Sequence, residues 1–517
     1  MHRIATLLVT LFTLSLAAPT QQPRPAAPPS AAPAEKPAEK KEAEKKEPEP
    51  EMREEPPAVT QHEIRIAGRV LRYTATAGKL PIKNAEGKTE AQMFFIAYTA
   101  ENPGGKPRPL MFSFNGGPGS SSVWLHLGAL GPRRVRMLPD GGMPKPPFEL
   151  VDNDQTWLDM TDLVFIDPVG TGYSRAASAE LGKKFWSLKG DIASVGEFIR
   201  LYLTRYDRWN SPLFLIGESY GTTRAAGLSG YLIERGIAFN GVVLVSSVLN
   251  FGTHDFGRMN DLPYELILPT YTMTAAFHKK LAPELAADLA KTRREVEQWA
   301  LTGYAEALAK GDRLTPDERR STVERLARYT GLSPQFVDNS NMRVPLWRFN
   351  KELLRDRRRT VGRLDSRFTG FDENAATDRP EFDPSLAAIR PPYTADFAHY
   401  VRSELGYKTD LEYYILGGGI GRWDLNAENE YADTSDDLRS AFAKNPHMKL
   451  FVASGYYDMA TPYFATHYTL DHLGIDPRLR PNITTAEYDA GHMMYIDQQE
   501  LVKLKRDAAA FVQKALQ

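Results

Sequence analysis

Ser219, Asp458 and His492 are the side chains whose types and order could perform nucleophilic acyl transfer. Ser219 lies in 217-GESYG-221, between the apolar run 213-LFLI-216 and the helix-like run 222-TTRAAGLSGYLIERG-236. A serine hydroxyl is a poor nucleophile near neutral pH, so it needs exposure and a positioned base. A G-x-S-x-G turn from strand to helix gives the exposure, because the flanking glycines remove side chains that would clash in a sharp turn. The alternative is a plain turn serine, and the partners decide between the two. The run 449-KLFVAS-454 leads into 455-GYYDMATP-462, which presents Asp458, and 484-TTAEYDAGHMMYID-497 presents His492 after Ala490 and Gly491. In the order serine, carboxylate, histidine, the imidazole would take the serine proton while Asp458 fixes its tautomer. Asp424 and Asp489 are the rival acids. His467 and His472 fall in a predicted helix, and His447 precedes a strand instead of following one.

Such a site needs donors for a developing oxyanion and a frame to hold them. The stretch 114-FNGGPGSSS-122 follows the strand-like 110-LMFSF-114, which assigns the oxyanion hole to the N–H groups of Gly117 and Tyr220. The same glycines also suit a tight turn with positive φ. The frame is legible in 109-PLMFSFNGG-117, 162-DLVFIDPVG-170, 212-PLFLIGE-218, 241-GVVLVSSVL-249 and 449-KLFVASG-455, each a short apolar run ending in Gly, Pro or a polar residue. Helical segments such as 187-SLKGDIASVGEFIRLYLTRY-206 lie between some of them. This alternation predicts an α/β fold with a mostly parallel sheet flanked by helices, and the G-x-S-x-G turn between strand and helix marks it as an α/β-hydrolase fold. Upstream, 62-HEIRIAGRVLRYTATAG-78 and 92-QMFFIAYTA-100 alternate like antiparallel strands. Between 255 and 440 the strand pattern disappears and helical stretches dominate, which predicts an inserted helical lid between core segments 59–254 and 441–517.

The bulk composition excludes several functions. Sixty-four Lys and Arg against sixty-five Asp and Glu leave a formal charge of -1, so no global field argues for nucleic acid. With no cysteine, disulfides, thiolate metal sites and cysteine nucleophiles are excluded. The run 417-GGGIGRWDL-425 lacks a P-loop lysine and a preceding buried strand, and reads as an ordinary flexible loop. No cofactor and no metal are expected. Residues 1–17 combine a cationic start, a short apolar stretch and Ser15-Leu16-Ala17, which predicts a signal peptide cleaved after Ala17. Residues 18–58, rich in Pro, Ala, Glu and Lys, predict a disordered spacer. An exported protein, periplasmic or secreted, with no membrane span after cleavage is the expectation; its lack of cysteine suits a bacterial-type protein.

Together, 115-NGGPGSS-121, 166-IDPVGTGYS-174, 217-GESYG-221, 455-GYYD-458 and 491-GHM-493 resemble the serine carboxypeptidases, from about 90 to 510 outside the insert. The resemblance implies removal of single amino acids from peptides with a free C-terminus, with the substrate carboxylate held by residues at Asn115 and Glu218. Two carboxylates at hydrogen-bond distance cannot both be ionised cheaply, so Glu218 would be protonated and acidic pH preferred. Otherwise Glu218 is a carboxylate stabilised at a helix start. This chain departs from the family in having Ser113 where a tryptophan is usual and Ala129 where a glutamate is frequent, both supports of the carboxylate-binding network there. An esterase or acyltransferase on the same scaffold, and a non-catalytic binding protein carried on the spacer, are the competing readings.

Overall fold

Apolar runs of five to seven residues with no polar face can be buried only inside a sheet covered on both sides. The computed structural model, which describes residues 52–102 and 104–517, gathers these runs in that way. The predicted signal peptide 1–17 and the spacer as far as residue 51 lie outside the described residues. The strands that matter are β1 Ala58–Ile66, β2 Arg69–Lys83, β3 Thr89–Ala100, β4 Leu110–Phe114, β5 Asp162–Ile166, β6 Leu213–Ser219, β7 Gly241–Ser247, β8 Lys449–Gly455 and β9 Ile483–Tyr488. They lie in the order β1-β2-β3-β5-β4-β6-β7-β8-β9, and a two-residue strand Arg175–Ala176 pairing with β3 completes a ten-stranded sheet. Pairing is antiparallel from β1 to β5 and parallel from β5 to β9. That order, with β5 inserted between β3 and β4, is the α/β-hydrolase fold.

The helices are α1 Leu188–Arg205, α2 Tyr220–Ile233, α3 Leu262–Phe277, α4 Leu289–Trp299, α5 Pro316–Thr330, α6 Pro384–Ser403, α7 Ser435–Lys444, α8 Tyr463–Asp471 and α9 Gln498–Ala515. On one face of the sheet α1, α2 and α7 bury Phe198, Leu228 and Phe442 with Phe112 and Leu244. On the other, α6 and α9 bury Val401 and Phe511 with Phe214 and Phe451. Helices α3, α4 and α5 build a third core of their own, where Tyr271 stacks on Phe349 at 3.8 Å between centroids. Local signals set these helices. Helix α5, for instance, starts at a capping box of Thr315 and Glu318 and stops at Gly331 in the left-handed conformation.

Within the stretch 255–440, where helices are expected to dominate, a hairpin of Arg359–Val361 and Thr369–Phe371 appears. Strands of three residues are too short to show alternation in sequence. Its turn carries Arg363, Leu364 and Asp365 towards the carboxyl ends of the parallel strands. No helix among the described residues is long and apolar enough to cross a membrane.

Candidate active site

The turn after β6 is as sharp as its glycines suggest. Ser219 has φ 59° and ψ -130°, a strained backbone for a residue with a side chain, and α2 starts at the next residue. A Cβ on Gly217 would lie 2.0 Å from the Gly221 carbonyl oxygen, and one on Gly221 would lie 2.9 Å from the Phe114 carbonyl oxygen. Gly116, which the sequence reading passed over, is equally constrained, because a Cβ there would lie 2.4 Å from the Tyr220 nitrogen. This closeness brings the glycine-rich loop after β4 against the start of α2. Gly117 has φ 102°, and the Tyr220 N–H, in the first turn of α2, has no acceptor within the helix. The two expected oxyanion donors are therefore on segments that touch.

Asp458 and His492 come from the ends of β8 and β9. His492 Nδ1 donates to Asp458 Oδ2 at 2.7 Å, with Asp458 fully buried and His492 4% exposed. Asp458 is held from behind: Oδ1 accepts the N–H groups of Ala460 and Thr461 at 2.8 and 3.0 Å, and Oδ2 accepts the Thr461 hydroxyl at 2.6 Å. Burial opposes the imidazolium, but Asp458 outweighs it and the His492 pKa is raised above its usual value. The histidine backbone is also pinned. Ser246 donates its hydroxyl to the His492 carbonyl at 2.6 Å, and the His492 N–H donates to the Leu364 carbonyl at 2.6 Å. Ser246 sits in a bulge of β7 with φ 52°. Leu364 belongs to the turn of the 359–371 hairpin, so that hairpin holds the histidine loop as well as standing near it.

The rival groups are engaged elsewhere. Asp424 bonds Asn426, Asp489 is exposed, and His467 pairs with Glu487 at 2.7 Å. His472 stacks on Tyr468, and His447 precedes β8. The 417-GGGIG-421 loop packs against the site loops, with the Gly417 N–H donating to the Gly119 carbonyl at 2.9 Å. Among the described residues no group of three or more His, Cys, Asp or Glu is arranged to hold a metal ion.

Asn115, Gly117, Glu218, Ser219 and His492 line one cavity of about 230 Å³. Glu218 is the penultimate residue of β6, not a helix-start residue, and is 3% exposed. Burial pushes its carboxyl up to about 7, against the lowering effects of His492, Tyr495 and Asn115. Asn115 Oδ1 accepts the Leu125 N–H at 3.1 Å, which leaves Nδ2 buried without a partner of good geometry although it lies near enough to Glu218 to lower its pKa. The Asn115 amide, the Glu218 carboxyl with its raised pKa and the strained Ser219 thus share one cavity.

Residues 71–252 match the serine carboxypeptidase family. The retinoid-inducible serine carboxypeptidase of Rattus norvegicus is 29% identical over 210 residues, which are 36% of this chain and 42% of that protein. Serine carboxypeptidase-like 51 of Arabidopsis thaliana is 31% identical over 159 residues, 29% of this chain and 31% of that protein. The pheromone-processing carboxypeptidase of Saccharomyces cerevisiae is 31% identical over 159 residues, 28% of this chain and 20% of that protein. The chain thus spans less than half the length of these curated relatives.

Residues 71–252 also contain a link that the sequence alone does not show. Arg224, on the first turns of α2, is 1% exposed; its Nε donates to Asp191 Oδ2 at 2.8 Å and an Nη donates to the Asn115 carbonyl at 2.7 Å. Burial raises the Asp191 pKa even though Arg224 pulls it down. Breaking a buried pair leaves an uncompensated charge, so Arg224→Met is expected to destabilise the fold by about 3–5 kcal/mol in urea denaturation. A loss under about 1 kcal/mol would show that the pair is dispensable.

Proposed function

We propose that this chain is a serine carboxypeptidase that hydrolyses the last peptide bond of peptides with a free C-terminus. Ser219 Oγ attacks the scissile carbonyl while His492 Nε2 takes its proton, with Asp458 holding the imidazole by Nδ1. The N–H groups of Gly117 and Tyr220 receive the oxyanion. The imidazolium returns the proton to the departing amino acid, and a water activated by His492 then releases the acyl group from Ser219. The observation that carries the reading is the buried, neutral-leaning carboxyl of Glu218 and the open Asn115 Nδ2 on the cavity that holds Ser219. Both can donate to a terminal carboxylate, which a bulk ester or an amide-capped peptide does not offer.

The pH dependence follows from the two shifted groups. Glu218 is protonated below about 7 and ionised above it. Binding of the terminal carboxylate is therefore present at acidic pH and lost as pH rises through that value. KM for a blocked free-acid dipeptide is expected to stay flat up to about pH 6 and then to rise, reaching about tenfold per pH unit well above 7, whereas its amide-capped twin shows no such rise. His492 must be neutral to act as base, so its protonation sets an acid limb common to both substrates. Steady-state kinetics from about pH 4 to pH 8 check this. Equal KM profiles for the two substrates would remove the role of Glu218.

A second reading, an esterase or acyltransferase on the same scaffold, is favoured by one observation. Ser113 Oγ is buried without a partner and Ala129 offers no polar atom, where the family places supports for carboxylate binding. Better turnover of esters than of free-acid peptides would select it. Export, periplasmic or secreted, rests on residues 1–17 and extends the proposal.

A further inference from the structure

Resting on the carboxypeptidase reading above, we propose that Tyr495 is the positioning residue that keeps the Glu218 proton on Oε1, aimed at the substrate carboxylate. The Tyr495 hydroxyl donates to Glu218 Oε2 at 2.5 Å. Tyr495 is 2% exposed, on the short turn that follows His492, so the histidine loop also delivers this contact. The chain makes room for the ring at Gly128, where a Cβ would lie 2.4 Å from Tyr495 Cε2 and 2.6 Å from the Tyr393 hydroxyl. Next to that glycine stands Ala129, whose side chain has no polar atom to offer Glu218.

The hydrogen count assigns the proton. A neutral carboxyl has one O–H, and the oxygen without it is the better acceptor. Asn115 presents Nδ2 on this side, because its Oδ1 is occupied by the Leu125 N–H, and an amide nitrogen cannot accept the tyrosine proton. The Tyr495 proton therefore goes to Oε2, which makes Oε2 the carbonyl oxygen and Oε1 the hydroxyl. No described residue makes a hydrogen bond of good geometry to Oε1, although the Asn115 amide lies close to this carboxyl, and Oε1 is not among the buried unpaired atoms, so it opens to the cavity. Without Tyr495 the carboxyl could turn over, and half of its orientations would present a lone pair to the substrate carboxylate.

The test compares wild type with Tyr495→Phe on a blocked free-acid dipeptide and its amide twin across pH, after confirming by fluorophosphonate labelling that Ser219 is intact. Tyr495→Phe is expected to raise KM for the free acid about tenfold with kcat within about twofold, and to leave the amide unchanged. It should also shift the alkaline limb to higher pH, since the lost donor is one that lowers the Glu218 pKa. If the Phe variant does not fold, Tyr495→Met serves in the same comparison. In a Glu218→Gln background the substitution should shift no alkaline limb. The proposal is overturned if Tyr495→Phe changes both substrates equally, if it changes neither, or if a shift persists in the Glu218→Gln background. A wild type that shows no preference for the free acid overturns the carboxypeptidase reading itself, and a wild type that keeps the preference beside a silent Tyr495→Phe overturns only the role of Tyr495.

Discussion

Ser219→Ala is expected to lower kcat on a free-acid dipeptide roughly a millionfold, with KM within a few-fold of wild type. The nucleophile is the one group for which no neighbour can substitute. The turn that exposes it depends on Gly217 and Gly221, whose missing side chains leave room for the carbonyls of Gly221 and Phe114, and both remain in the variant. Alanine and serine share the same backbone restrictions at φ 59°, so the loss is chemical and not a loss of fold. What remains, about 10³–10⁴ over the uncatalysed reaction, is expected from the oxyanion donors and substrate binding alone. Steady-state kinetics and fluorophosphonate labelling measure both effects. Retention of more than about a hundredth of the activity would move the nucleophile elsewhere, and a wild type that neither labels nor hydrolyses would favour the non-catalytic binding protein.

Asp458→Asn is expected to lower kcat about 10⁴-fold with little change in stability. The reason lies in the donors behind the carboxylate. Oδ1 is committed to the Ala460 and Thr461 N–H groups, so the asparagine oxygen must take that place. Its amide nitrogen then stands where Oδ2 stood, facing His492 Nδ1. A donor there forces Nδ1 to accept, which leaves the ring proton on Nε2 and removes the lone pair that should take the serine proton. The two backbone bonds survive, so the thermal midpoint should hold within a few degrees. A drop of less than tenfold would dismiss Asp458 as the orienting acid and return attention to Asp424 and Asp489.

Much of this site is legible without coordinates because its chemistry sits at the ends of strands. A buried strand announces itself as a short apolar run, and Ser219 and Asp458 each follow one within a few residues, whereas His492 follows the more polar strand Ile483–Tyr488. The loop 114-FNGGPGSSS-122 is legible for the same reason, and the structure puts Asn115 and Gly117 on the cavity with Ser219. The insert is less so. Its helices show in their periodicity and caps, but the hairpin that places the Leu364 carbonyl on the His492 N–H is made of three-residue strands with no pattern to detect.

The sequence by itself determined the order of strands and turns, the glycines that a sharp elbow needs, and the residue types able to act as nucleophile, base and acid. Each of those depends on neighbours within a few positions. Only the tertiary structure decided what surrounds them. Tyr495 meets Glu218 across 277 residues, and Arg224 meets Asn115 across 109. Whether Glu218 ionises near 4 or near 7 depends on how completely it is removed from water and on which donors reach it. Desolvation is a property of the packed interior, and no local stretch of chain carries it.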